Sequence, residues 1–383
     1  MVLRTDDRPD ATIRSADPPA AGTNKTGADP RHMRRTVPTK NQAEGESMRN
    51  NNWSRTSRGA AAIALALVTA MTVAPTASAH HGADTQGANT HGGDRGTIEI
   101  PGDPAGGSKF EGIGLDERSG TFYVSETTGG EISRGNIHRD AAKPWLDGNG
   151  TDGRSTARGI TVDHDGLVYI AGGPNGIDHP GAPDLWVYSP GGKLLAKLDT
   201  GVDNAFLNDV AIGPDGAAYF TNSNAPQVFR VAKSRSGWQV STFVDASGTI
   251  VTQTGFNLGG IVATGDGRAL IVAQGNVGAL WRIDLRTKAV TAIAHPMSDL
   301  VNADGLVLKG KRLLVIRNFS RVITTLKLSD HWTSAALIDE TATAQDRLFT
   351  TGKLAGGRLY LVDSKFDTQV AGLHPYEVVV LKI

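Results

Sequence analysis

A strand–turn–strand unit recurs six times between Gly112 and Ser364, and this repetition restricts the available folds more than any other feature of the chain. The copies read GIGLDERSGTFYVSE from Gly112, GITVDHDGLVYIAGG from Gly159, DVAIGPDGAAYFTNS from Asp209, GIVATGDGRALIVAQ from Gly260, GLVLKGKRLLVIRN from Gly305 and TGKLAGGRLYLVDS from Thr351. Each joins two short runs rich in apolar, β-branched or aromatic residues through a tight turn. Further strands follow in several copies, as in DLWVYSP then KLLAKLDTG after the second. The 47 glycines in 383 residues suit many tight turns and argue against long helices. A small sheet cannot bury both of its faces alone, but sheets stacked around an axis bury each other's. A unit of four strands recurring about every fifty residues therefore predicts an all-β fold, a six-bladed β-propeller. A β-sandwich is the competing architecture, but it does not generate six like units. Closing the ring requires the chain ends to share the last blade, which hides its edge. Residues 97–100 (TIEI) are expected to supply the outer strand beside residues 377–383 (EVVVLKI), which makes 97–383 the folded domain.

Upstream of that domain the sequence changes character. Residues 1–47 are rich in Arg, Asp, Pro, Thr and Gly, and too polar to offset the entropy of ordering; they are expected to be disordered, or untranslated if Met48 is the true start. Residues 48–79 carry Arg49, Arg55 and Arg58, an apolar run of about fifteen residues, and then Ala77-Ser78-Ala79, the pattern of a secretory signal peptide. The apolar run is shorter than the roughly twenty residues that cross a bilayer. The mature protein is thus expected to begin near His80, to be secreted into the extracellular space, and to have no membrane partner after signal cleavage. Residues 80–96, with His80, His81 and His91, read as a flexible Gly/His-rich leader rather than a metal site.

Several kinds of chemistry drop out. Lys plus Arg equals Asp plus Glu at 39 each, so no net field favours nucleic acid or an anionic membrane. The absence of cysteine removes disulfides, thiolate metal sites and cysteine nucleophiles. Neither G-x-S-x-G nor H-E-x-x-H occurs, and His138, His164, His179, His295, His331 and His374 are scattered. Asp163-His164-Asp165-Gly166 looks like the start of a calcium loop but occupies the turn of its repeat, so it reads as a β-turn.

Aligning the copies on their second strands places Tyr123, Tyr169, Tyr219, Leu270, Leu314 and Tyr360 in register. The residues just ahead of the first strands are then Glu111, Arg158, Asn208, Gly259, Asp304 and Thr350, at spacings of 47, 50, 51, 45 and 46. In a propeller the first strand lines the central channel, so these six form a ring at its mouth. Five of them are polar, and a convergent polar cluster in a concave site is a default candidate for ligand binding. The plainer alternative is that they only satisfy strand ends and channel water. Glu111, Asn208 and Asp304 offer hard oxygen ligands suited to Ca²⁺, Mn²⁺ or Mg²⁺. Arg158 offers a rival cation, in which case no metal is bound.

With the ring in place, the domain from about Phe110 to Val362 resembles the gluconolactonase and senescence-marker-protein (regucalcin-like) family of six-bladed propellers, as a divergent secreted bacterial member. Phe110-Glu111-Gly112 resembles its opening Glu-Gly, where the glutamate is a metal ligand. Leu207-Asn208-Asp209-Val210 with Pro214-Asp215-Gly216 resembles its Asn-Asp segment, where the asparagine faces substrate. Ala303-Asp304-Gly305-Leu306 resembles its Asp-Gly segment, where the aspartate is metal ligand and base. Two positions depart: Gly259 stands where the family has an asparagine ligand, with Asn257 two residues earlier, and Phe206 stands where it tends to carry an arginine. The resemblance implies a monomer that hydrolyses a small lactone or ester, or acts on a sugar. Glu111, Asn208 and Asp304 would hold the divalent metal, Asp304 would be the base, and Arg158, Asn257 and Thr350 would contact substrate. The alternative is a non-catalytic extracellular ligand- or protein-binding propeller with a degenerate metal site.

Overall fold

A computed structural model describes residues 96–383, apart from 104, 106, 174–182, 298–299 and 369–374. The expectations for residues 1–95, and for His179 and His374, lie outside the described residues. Within the described residues the chain forms twenty-four strands in six antiparallel four-stranded sheets. No helix there is long and apolar enough to cross a membrane.

The innermost strands of blades one to six are Phe110–Asp116, Ile160–Val162, Leu207–Ile212, Leu258–Ala263, Ala303–Lys309 and Phe349–Ala355. Each packs against the next, and the sixth packs against the first, so the ring is closed. The fold is a six-bladed β-propeller. Blades one to five are each continuous in sequence. Blade six takes three strands from the C-terminal end and its outermost, Thr97–Glu99, from the other end of the domain. That strand runs antiparallel to Glu377–Lys382, with Thr97 opposite Val379 and Glu99 opposite Glu377.

The core is divided among the blade interfaces rather than gathered at one centre. Six apolar clusters fill the six gaps: Tyr123 and Ile132 meet Ile160 and Trp186 between blades one and two, and Tyr360 and Val378 meet Phe110 and Ile113 between blades six and one. This explains the near-continuous apolar runs of the second strands, since a strand in mid-blade is covered on both faces. It also corrects the alignment in blade four. There Val262 pairs with Ile271, whereas Gly114, Ala211 and Val307 pair with Tyr123, Tyr219 and Leu314. The turn of blade four is one residue longer than those of blades two and three and matches that of blade one, so Ile271 takes the place expected for Leu270. A slip of one residue exchanges faces: Ile271 packs towards blade five and Leu270 back towards blade three.

In the turn containing Asp163, that carboxylate is engaged in holding the turn rather than offered to calcium. Its Oδ1 accepts the backbone N–H groups of Asp165 and Leu167 at 2.9 Å, and its Oδ2 accepts the Tyr169 hydroxyl at 2.9 Å.

Candidate functional site

Near the start of the inner strand, five of the six blades break register in the same way. Two residues face one across the pair between Phe110 and Ile113, Leu207 and Val210, Leu258 and Ile261, Ala303 and Leu306, and Phe349 and Gly352. Blade two has the same arrangement: the Arg158 N–H donates to the Ala171 carbonyl at 2.8 Å, and the Ala171 N–H donates to the Gly159 carbonyl at 2.8 Å. A bulge re-aims a side chain without ending the strand. Here it turns Glu111, Arg158, Asn208 and Asp304, with Gly259, to the wall of one cavity of about 520 Å³.

The second bulge residue explains how six strands converge so closely. It is Gly112, Gly159, Gly260 and Gly305 in four blades. A Cβ on Gly112 would lie 2.3 Å from the Arg158 carbonyl oxygen, and one on Gly260 would lie 2.2 Å from that of Asp304. Asp209 and Thr351 occupy this tier in the other two blades and face a space of about 10 Å³ beneath the ring. Asp209 accepts backbone N–H groups from Val210 at 2.8 Å and, across the blade gap, from Ile261 at 3.2 Å. Burial raises its pKa, and the charge of Lys353 opposes that rise.

Burial at the ring disfavours the charged form of both carboxyl groups. Burial, reinforced by the neighbouring Asp304 carboxylate, pushes the Glu111 pKa up to about 8. Burial also raises Asp304 to about 7, against a hydrogen bond from Asn318, whose Nδ2 donates to Asp304 Oδ2 at 2.7 Å. Arg158, through its charge, eases Glu111 only in part. Its Nη1 donates to the carbonyls of Gly172 at 2.7 Å and Leu207 at 3.3 Å, and its guanidinium carbon sits 3.6 Å from the centre of the Phe206 ring. Desolvation lowers its pKa to about 10, so it stays charged at neutral pH. The Asn208 side chain is 8% exposed and lines the cavity, and its amide makes no hydrogen bond to another described residue.

Two carboxylates and one free amide, with the nearby arginine engaged elsewhere, are a donor set suited to a hard divalent cation. No group of three or more Asp, Glu, His or Cys side chains placed to hold a metal occurs among the described residues. The set therefore depends on the Asn208 amide. Gly259 leaves its part of the ring open, since the nearest atom to a Cβ built there is 3.7 Å away.

The substrate contacts expected of Asn257 and Thr350 meet side chains that are already engaged. Asn257 Nδ2 donates to the carbonyls of Gln253 at 3.0 Å and Gly255 at 3.1 Å, and its Oδ1 accepts from the Gln253 N–H at 2.8 Å, so it organises the loop ahead of blade four. It cannot stand in for a ligand at Gly259 while it holds that loop. Thr350 lies outside the larger cavity, and its Oγ1 donates to the Glu111 carbonyl at 2.7 Å, tying blade six to blade one. Sequence reasoning missed Asn318 and Asp209. Asp209 had a signal, because it interrupts a column of glycines among the repeats; Asn318 had none.

Six four-stranded blades around a channel with a polar mouth define the protein as a six-bladed β-propeller. It is similar to regucalcin from Agrobacterium tumefaciens, a calcium-binding protein, at 15% identity and a TM-score of 0.53 over 76% of this chain and 94% of that one. It is also similar to the major allergen Mala s 1 of Malassezia sympodialis, at 18% identity and a TM-score of 0.57 over 76% and 97%. No protein-family model matches the sequence, and no curated protein does. At these identities the likeness concerns the fold.

Proposed function

We propose that the protein hydrolyses lactones or carboxylic esters at the mouth of the propeller channel, with a divalent cation held by Glu111, Asn208 and Asp304. The observation that carries this reading is the pair of mutually repelling carboxylates beside a free, buried amide, with Arg158 turned to backbone carbonyls. Such a pair works against folding unless a cation offsets it. When bound, the ion supplies polarisation of the substrate carbonyl and a lowered pKa for the attacking water. Asn318 fixes Asp304 at Oδ2, which leaves Oδ1 to take the proton of that water and pass it to the leaving alkoxide. Asn208 orients the substrate's oxygen by donating from its amide. Arg158, charged and rigid in the wall, favours the negative charge that develops on the carbonyl oxygen.

The test is ion content after loading with calcium, manganese or magnesium, beside Asp304→Ala, together with a lactone and ester screen. About one ion per chain, lost in the variant, with turnover of some lactone or ester, is the expected result. A loaded protein with no ion would remove this reading in favour of a binding propeller, the reading that the missing ligand at Gly259 favours. The pattern of residues 48–79 also supports secretion. Protein recovered from the medium should begin near His80, and a start well upstream of Ala79 would count against it.

A further inference from the structure

The polar floor of the cavity is walled by phenylalanines. Phe206 and Phe256 sit on the approaches to blades three and four, and Phe319 and Phe366 follow the second strands of blades five and six; all four line the cavity. Phe256 is 61% and Phe319 54% exposed, and they are the two exposed phenylalanines among the described residues. Phe206 is held against Arg158 and against Phe256, whose ring centre lies 4.9 Å from its own at 42°. Leaving large aromatic faces in water is unfavourable, and two of them at one concave mouth mark a surface that a ligand covers.

The polar groups of the wall point to the same division. Asn276 Nδ2 donates to Asn257 Oδ1 at 3.0 Å, Asn302 Nδ2 to Ser320 Oγ at 3.0 Å, and Asn318 Nδ2 to Asp304 at 2.7 Å. Asn257 holds its loop, while Asn208 at the floor makes no amide hydrogen bond and Asn276 Oδ1 has no partner among the described residues. A polyhydroxylated ring entering here would meet wall amides largely engaged with one another, and would regain fewer hydrogen bonds than it gave up to water. A flat apolar ring would gain contact with Phe206, Phe256 and Phe319.

We infer, resting on the hydrolase reading above, that the substrate is a lactone or carboxylic ester bearing an aromatic ring: its carbonyl sits at Asn208 and Asp304, and its ring lies against Phe206, Phe256 and Phe319. Sugar lactones are then poorer substrates, because the wall offers aromatic faces and amides that are largely engaged. The cavity volume of about 520 Å³ accommodates a body of one or two rings.

The experiment compares kcat/KM for isochroman-3-one, an aromatic δ-lactone, with δ-valerolactone and glucono-δ-lactone, in the ion-loaded protein and in Phe256→Ala and Phe319→Ala. Both phenylalanines are exposed, so neither variant threatens the fold. The aromatic lactone should exceed valerolactone by about tenfold or more, with gluconolactone last. In each variant that preference should fall by about threefold or more, through KM rather than kcat. Gluconolactone as the best substrate, or a preference untouched by both variants, would overturn the inference while leaving the hydrolase reading intact. If no lactone is turned over, the hydrolase reading has failed, and calorimetry with the corresponding lactam, which resists hydrolysis, decides the remainder. Lactam binding that weakens in the two variants sustains the aromatic site alone; absence of binding overturns it.

Discussion

The two ends of the channel are built by the same six strands and could hardly differ more. At the upper end stand Glu111, Arg158, Asn208, Gly259, Asp304 and Thr350. Four residues further along each strand stand Leu115, Val162, Ile212, Ala263, Leu308 and Leu354, around an opening of about 270 Å³. The lower ring displays what closing a propeller requires, which is apolar side chains of adjustable size packed against the clusters between blades. The upper ring contains what closure does not require and partly resists, since burying Glu111 beside Asp304 raises the pKa of the former to about 8. The contrast separates residues that make the fold from residues that the fold carries.

The largest effect should come from breaking the upper ring chemically. Asp304→Asn is expected to lower lactone or ester turnover by about 10³-fold with little change in thermal stability. The matching change at the lower end, Leu308→Asn, should leave turnover within about threefold, because distant sites act independently. Equal losses at both ends, measured as kcat/KM, would mean that the upper ring has no special chemistry. Next in size is Gly260→Ala, which forces a Cβ into the Asp304 carbonyl and should cost about 2–3 kcal/mol in denaturant unfolding.

The metal-free protein should also respond to pH. Glu111 and Asp304 titrate at about 8 and about 7 when folded, against ordinary values of 4.5 and 3.8. The folded state thus keeps protons that the unfolded chain has released. The stabilising contribution of these two groups is complete below about pH 4 and is lost as pH rises to about 8. In a chelator, the unfolding temperature should fall by several degrees between pH 5 and pH 8.5, and Glu111→Gln should flatten that slope. The smallest effect sharpens the comparison instead of breaking it. A Cβ at Gly259 would make only ordinary contacts, the nearest at 3.7 Å, so Gly259→Asn should fold normally and tighten calcium or manganese binding by about tenfold in a titration.

The architecture was legible because a propeller repeats its instructions. Six similar units announced six blades, and the pairing of residues 97–100 with the C-terminal strand followed from the need to close a ring. The single slip, Leu270 for Ile271, arose where a turn is one residue longer than that of the preceding blade, which alignment on apolar residues cannot see when both neighbours are apolar. The positions of the upper ring were legible for the same reason, but the use of each side chain was not. Whether Arg158 pairs with Glu111 or with the Gly172 carbonyl depends on rotamers and on the Phe206 ring beneath it, and nothing in the order of residues fixes either. Asn257 and Thr350 show the same limit: Thr350 takes its ring position and Asn257 lines the cavity, yet one holds blade six to blade one and the other holds a loop.

The seam of blade six carries a further consequence, for the order of events in assembly. Ile98 pairs with Val378, some 280 positions later, so the link that locks the circle is also among the most distant in the chain. Folding dominated by such remote pairings is slow. During synthesis five blades can zip up behind the ribosome, but the circle stays a horseshoe until Glu377–Lys382 emerges. Glu111 and Asp304 sit in blades one and five, on either side of blade six, so the ring that spaces them includes a blade built from both ends of the domain.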